Sequence, residues 1–86
     1  MSSYKVNVLT PQGQAYSGEA VHCLIPAEDG FVGVLANHAP YVTASSGGLF
    51  EVREPNGTEK KFMVGPGFFE VAHNQATFLT QSFSGL

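Results

Sequence analysis

Apolar and polar residues alternate along most of this chain, and clusters of Gly, Pro, Asn, Asp and Ser break the alternation about every 8–12 positions. No stretch of eleven or more residues places its apolar side chains at helical spacing. A period of two with frequent turns leaves an antiparallel sandwich or barrel as the architecture. Tyr4, Val6 and Val8 alternate with Lys5 and Asn7 up to a turn at Thr10-Pro11-Gln12-Gly13. Val21, Cys23 and Ile25 then alternate with His22 and Leu24, and Ala27-Glu28-Asp29-Gly30 turns the chain into Phe31–Leu35. Leu49–Glu54 pairs with Glu59–Val64 across Pro55-Asn56-Gly57-Thr58, where Asn-Gly is the strongest short-range hairpin signal. Phe68–Ala72 returns through His73-Asn74 as a strand over Ala76–Phe83. Residues 1–86 read as one all-β domain, without linker, repeat or low-complexity segment. Its expected core is Val6, Val8, Val21, Cys23, Ile25, Val34, Val52, Phe62, Val64, Phe69, Val71 and Phe78.

Charge is the unusual quantity. Four Lys and Arg and seven Asp and Glu make up 13% of the chain, about half the share of an ordinary globular domain. Interface cores are depleted of charge, so one reading is a domain covered by partners. A small soluble β domain that uses Ser, Thr, Asn and Gln on its surface fits equally well. The net charge of −3, with Lys60-Lys61 the only basic cluster, argues against nucleic acid, which is held through phosphate neutralisation. The longest apolar runs, such as Phe31–Ala36, fall far short of a membrane span, and the N-terminus lacks the layout of a signal peptide. One cysteine permits no internal disulfide, so the expectation is a reducing, cytosolic-side compartment.

Candidates for chemistry give little. Cys23 lies mid-strand between apolar neighbours, and His22 points to the opposite face, so the two cannot act together. His22, His38, His73 and Cys23 have no metal-ligand spacing. Gly47-Gly48 and Gly65-Pro66-Gly67 lack the Lys-Ser/Thr and helix of a phosphate loop, so these glycines read as turn backbone. No catalytic residue, cofactor or metal is expected.

Gly30 to Thr43, GFVGVLANHAPYVT, is more specific. Pro40 fixes its own φ and holds Ala39 extended, so Asn37-His38-Ala39-Pro40 is a tight corner that presents His38. Together with Gly65-Pro66-Gly67 followed by Phe68-Phe69-Glu70-Val71, this segment resembles the N-terminal domain of the epsilon subunit of F-type ATP synthases. Tyr4–Val8, Tyr16-Ser17-Gly18 (an aromatic residue before a small turn) and Phe78-Leu79-Thr80 extend the resemblance over nearly the whole chain. It implies a flattened antiparallel β-sandwich of about ten strands in two sheets. It also implies a non-catalytic stalk subunit, held by γ and resting on the ring of c subunits at the cytoplasmic face of a bacterial membrane. By resemblance Thr10, His38 and Thr43 would meet γ, as one polar patch on neighbouring strand ends. Glu28, Asp29, Gly30 and Phe31 would meet the c ring, while Asn37, Pro40, Gly65 and Gly67 would shape turns.

Three departures accompany the resemblance. Longer members continue into a C-terminal helical hairpin, whereas this chain stops at Leu86, so the expectation is coupling without an ATP-sensitive brake. Asn37 replaces the usual Gly before His-Ala-Pro, and Asn tolerates left-handed backbone better than most residues. Phe31 stands where many members carry a polar or acidic residue, so an ionic c-ring contact does not carry over. A generic β-sandwich interaction module and a small enzyme using Cys23 or a histidine are the alternative classes.

Overall fold

The computed structural model describes residues 2–86. Ten strands follow one another: β1 Tyr4–Thr10, β2 Gly13–Ala20, β3 His22–Ala27, β4 Gly30–Leu35, β5 Tyr41–Ser45, β6 Gly48–Arg53, β7 Glu59–Val64, β8 Gly67–Ala72, β9 Gln75–Thr80 and β10 Phe83–Gly85. They build two five-stranded sheets, ordered β2-β1-β9-β8-β5 and β10-β7-β6-β3-β4. The expected all-β sandwich of about ten strands in two sheets is therefore what forms. Neighbouring strands are antiparallel except β1 and β9, which pair in parallel from Lys5↔Gln75 to Leu9↔Leu79.

Each sheet turns alternate side chains inward. In the first sheet Val8, Phe78 and Phe69 share one cross-strand row and are fully buried, as are Val6, Ala76 and Val71 in another. Cys23, Ile25, Val34, Phe50 and Val52 face them from the second sheet. Phe50 meets Phe78 across the layers at 5.5 Å between ring centres, and Phe78 meets Phe69 edge-on at 5.9 Å. Eleven of the twelve expected core residues are buried; the exception is Phe62, which is half-buried. β7 has only three-residue β10 beyond it, so Phe62 packs at the margin against Phe83, at 4.6 Å, and Tyr16, at 5.2 Å. Tyr4, Ala20, Phe50 and Ala76 join the core without having been expected there.

Two strand readings change. Tyr16-Ser17-Gly18 is no turn but the middle of edge strand β2, whose glycine lies under the Tyr16 ring. The strand read over Ala76–Phe83 breaks after Thr80, and Phe83–Gly85 joins the other sheet as β10.

Connections fix the two ends of the sandwich. Ser46-Gly47, Gly65-Pro66 and Gln81-Ser82 all cross between sheets at one end. There the Gly65 amide donates to Ser82 O (2.9 Å), and the Thr80 hydroxyl donates to Gly65 O (2.8 Å). Gly65 and Gly67 serve close approach and not a left-handed turn. A Cβ on Gly67 would overlap the Leu79 carbonyl, and one on Gly65 would lie 2.6 Å from Ser82 Oγ.

Candidate functional site

The His-Ala-Pro corner lies at the end of the sandwich opposite those crossings. Asn37 has φ 63°, the left-handed conformation that Asn accepts more readily than most residues. The turn His73-Asn74 between β8 and β9 is also left-handed, with φ 51° and 58°. The two turns are tied side by side: Asn37 N donates to Asn74 Oδ1 (2.6 Å), and Asn74 Nδ2 donates to Asn37 Oδ1 (3.0 Å). A glycine at position 37 could make only the first bond, so Asn here adds a fastening to the corner. His38 is half-buried, with Nδ1 2.6 Å from Ala39 O and its ring 5.9 Å from that of Tyr41. Pro40 is exposed, just before β5.

Thr43 sits in the middle of β5, opposite inward-facing Phe69, so its side chain lies at the margin of the interlayer space and donates to Ala44 O (3.0 Å). Thr10 ends β1 at the crossing end, three strands from β5. Its hydroxyl accepts from Gln12 N and donates to Gly13 O, both at 3.2 Å, and so closes its own turn. The expected single patch of Thr10, His38 and Thr43 therefore does not form. β5 runs parallel to β1 within the sheet, which puts His38, ahead of β5, and Thr10, at the finish of β1, at opposite ends. Glu28 and Asp29 form the exposed turn between β3 and β4, and Gly30, with φ 124°, opens β4. Phe31 follows on the outer face, opposite Pro26 and 57% exposed. These four residues stay together at the crossing end.

β4 thus begins at the acidic turn and finishes at the His38 corner, which leads directly into β5. The two strands are the edges of their sheets on the same side of the sandwich, where β5 packs across from β3. Gly30 through Phe50 contains no Asp, Glu, Lys or Arg, so β4, the corner and β5 themselves carry no fixed charge; exposed Glu70, opposite Val42 on β8, and the Glu28-Asp29 turn are their charged neighbours. Leu35 and Val42 are 61% and 65% exposed on this side, and Phe68 beside β5 is 58% exposed. A row of exposed apolar side chains, Leu9, Leu79 and Phe68, continues across the outer face of the first sheet from Thr10 toward Ala44. Reading positions one by one missed this surface; the 21-residue gap between Asp29 and Glu51 was the signal for it.

Elsewhere the chemistry is structural. Burial pushes the Cys23 thiol up to about 11, so little nucleophilic thiolate exists near neutrality. Tyr4 reaches through the core to donate to Val34 O (2.6 Å), and burial raises its phenol strongly. Among the described residues no three His, Cys, Asp or Glu side chains converge as a metal site would need.

Comparison with known proteins settles the family. Residues 3–85 match the family model of the ATP synthase delta/epsilon chain β-sandwich domain. The chain belongs to that family. The ATP synthase epsilon chain of Chlorobium limicola is 33% identical over 82 residues, covering 95% of this chain and 93% of its own. That of Leptospira interrogans serovar copenhageni is 38% identical over 77 residues, but the match spans only 59% of it. A chain in the Euglena gracilis mitochondrial ATP synthase (OSCP/F1/c-ring) shares the fold at TM-score 0.91 and 18% identity, over 99% of this chain and 54% of that one. One in the Tetrahymena thermophila mitochondrial ATP synthase central stalk and c ring does so at 0.75 and 12%, over 92% and 63%. Epsilon chains are structural and regulatory subunits, and catalysis resides elsewhere in their complex.

Proposed function

We propose that this protein is a rotor subunit of an F-type ATP synthase, joining the γ subunit to the membrane c ring so that ion flow and ATP synthesis stay coupled. The observation that carries the reading is the unbroken β4–corner–β5 segment, which has no fixed charge of its own and carries His38 and Thr43. Burying fixed charge against another protein costs several kcal/mol per unpaired ion, so a surface without any suits permanent coverage. γ lies along β4, the corner and β5. It reaches Thr10 by continuing over Leu9, Leu79 and Phe68, because Thr10 is remote from His38. The c ring meets Glu28, Asp29, Gly30 and Phe31 at the opposite end of β4 from His38, so one strand spans both contacts. Phe31 gives the ring contact an apolar centre beside two acidic groups. The subunit works at the cytoplasmic face of a bacterial membrane, peripherally and only through its complex.

Co-purification with γ tests the reading. His38→Asp and Val42→Lys each place a charge on this side and should lower γ capture at least tenfold while the isolated domain stays folded. Unchanged capture by both variants would show that γ uses another face.

A further inference from the structure

We infer that the cleft between the His-Ala-Pro corner and the β8–β9 turn receives a carboxylate, the side chain of an Asp or Glu on γ; this rests on the γ reading above and names the group on the partner that the cleft holds. The cleft encloses about 280 Å3 and is lined by Asn37, His38, Ala39, Pro40, His73 and Asn74. Among the described residues, the non-glycine positions with positive φ are Asn37, His73 and Asn74, and all of them line it. Left-handed backbone is costly away from glycine, and such residues gather at binding sites. A two-residue hairpin turn with both φ positive is ordinarily Asn-Gly, Asp-Gly or Gly-Gly. Asn74 is accounted for by its bonds to Asn37. His73 is not: its ring is exposed and, among the described residues, makes no hydrogen bond within the fold.

The chemistry of the occupant follows from the donors and acceptors that remain open. Asn37 N can only donate, so the Asn74 atom 2.6 Å from it is the amide oxygen, and Asn74 Nδ2 then donates to Asn37 Oδ1 at 3.0 Å. The fastening thus orients both carboxamides and engages both of their oxygens. Both N–H groups of Asn37 Nδ2 and one of Asn74 Nδ2 stay open, and His73 adds a ring N–H in either tautomer. His38 directs its Nδ1–H to Ala39 O (2.6 Å), so its Nε2 accepts when the ring is neutral and donates when it is protonated. No lining residue is Asp or Glu. The fixed charges on the adjoining strands are Lys5, whose amide donates to Asn74 O (3.1 Å), Glu19 opposite Lys5 on β2, and Glu70 on β8. A surplus of N–H donors suits a group that only accepts, and among side chains the ionised carboxylate does so most strongly. A Lys or Arg of γ would set donors against donors.

The sign of the charge tolerated at position 73 provides the test. His73→Asn is neutral and accepts left-handed backbone, so it sets the baseline for His73→Lys and His73→Glu, all three checked for unchanged circular dichroism. Calorimetric titration with γ should give a Kd at least threefold tighter than the baseline for His73→Lys and at least tenfold weaker for His73→Glu. In the His73→Lys complex a water-soluble carbodiimide should join the introduced amine to an Asp or Glu of γ, located by mass spectrometry of the linked peptides. The opposite order of affinities, or no link from position 73 to a γ carboxylate, overturns the inference. Equal γ affinity in all three variants removes the carboxylate and leaves the γ reading standing. Failure of the parent chain to bind γ removes both.

Discussion

The two open sides of the sandwich are built in opposite ways. Where β2 lies over β7 and β10, the gap between the sheets is closed by side chains. Tyr16 packs at a tilt against Phe62 and donates its hydroxyl to Glu54 Oε2 (3.1 Å), and Lys60 pairs with the same carboxylate at 3.1 Å while lying 5.8 Å from the Tyr16 ring centre. This side supplies its own partners. Among the described residues the β4/β5 side has no ionic closure, and its large exposed apolar side chains are Phe31, Leu35 and Val42. Ionic pairing across one side, and edge strands without charge of their own on the other, separate the surface that faces water from the one available to a partner. Stability and recognition should therefore respond to mutation on different sides.

The largest effect lies in the core that both sides share: Phe78→Ala should cost about 3–5 kcal/mol in urea unfolding, because the ring touches Phe50 and Phe69 and leaves a cavity. On the closed side, Phe62→Ala should cost less, about 1–3 kcal/mol, since that ring is half-buried, and γ capture should not change. Tyr16→Phe should cost about 1 kcal/mol through the lost bond to Glu54. It also carries a pH signature. Burial, reinforced by Glu54, pushes the Tyr16 phenol up to about 12, so the folded state keeps its proton where the unfolded chain, near 10, has lost it. Stability is therefore fully present below pH 10 and falls as pH rises toward 12. Alkaline unfolding should be shallower in Tyr16→Phe, and identical alkaline slopes would contradict this role. The smallest stability effect belongs to the open side. Val42→Lys should shift unfolding by less than about 0.5 kcal/mol, and a larger loss would mean that β5 is held by contacts which its 65% exposure does not suggest.

How far the sequence discloses this depends on the region. The Asn56-Gly57 hairpin and the alternation in β1, β3, β8 and β9 specify their strands, because local turn chemistry and inward packing agree there. β2 was legible only in part. An edge strand with Gly13 and Gly18 and few apolar residues has little period-two signal, and its partner β1 supplies the pairing. The β9–β10 break was hidden because Thr80-Gln81-Ser82, between Phe78-Leu79 and Phe83, contains neither Gly nor Pro to mark where the chain changes sheet. For the candidate site, the corner and its left-handed Asn37 followed from Pro40 and the chemistry of Asn. Asn74 as its fastening did not, being 37 residues away. Placing Thr10 beside His38 failed for a topological reason: strand direction across a five-stranded sheet decides which ends meet, and the parallel β1–β9 pair reverses the simplest expectation.

The division between the two sides is tested most directly by measuring γ affinity, by isothermal titration calorimetry, for one charge change on each side. Lys60→Ser removes a charge from the closed side, and Val42→Lys adds one to the open side. Docking of γ on the β4/β5 side predicts a Kd within twofold of the parent for Lys60→Ser and at least tenfold weaker binding for Val42→Lys, with both proteins equally folded. Weakened binding in Lys60→Ser together with an unchanged Kd in Val42→Lys would contradict it.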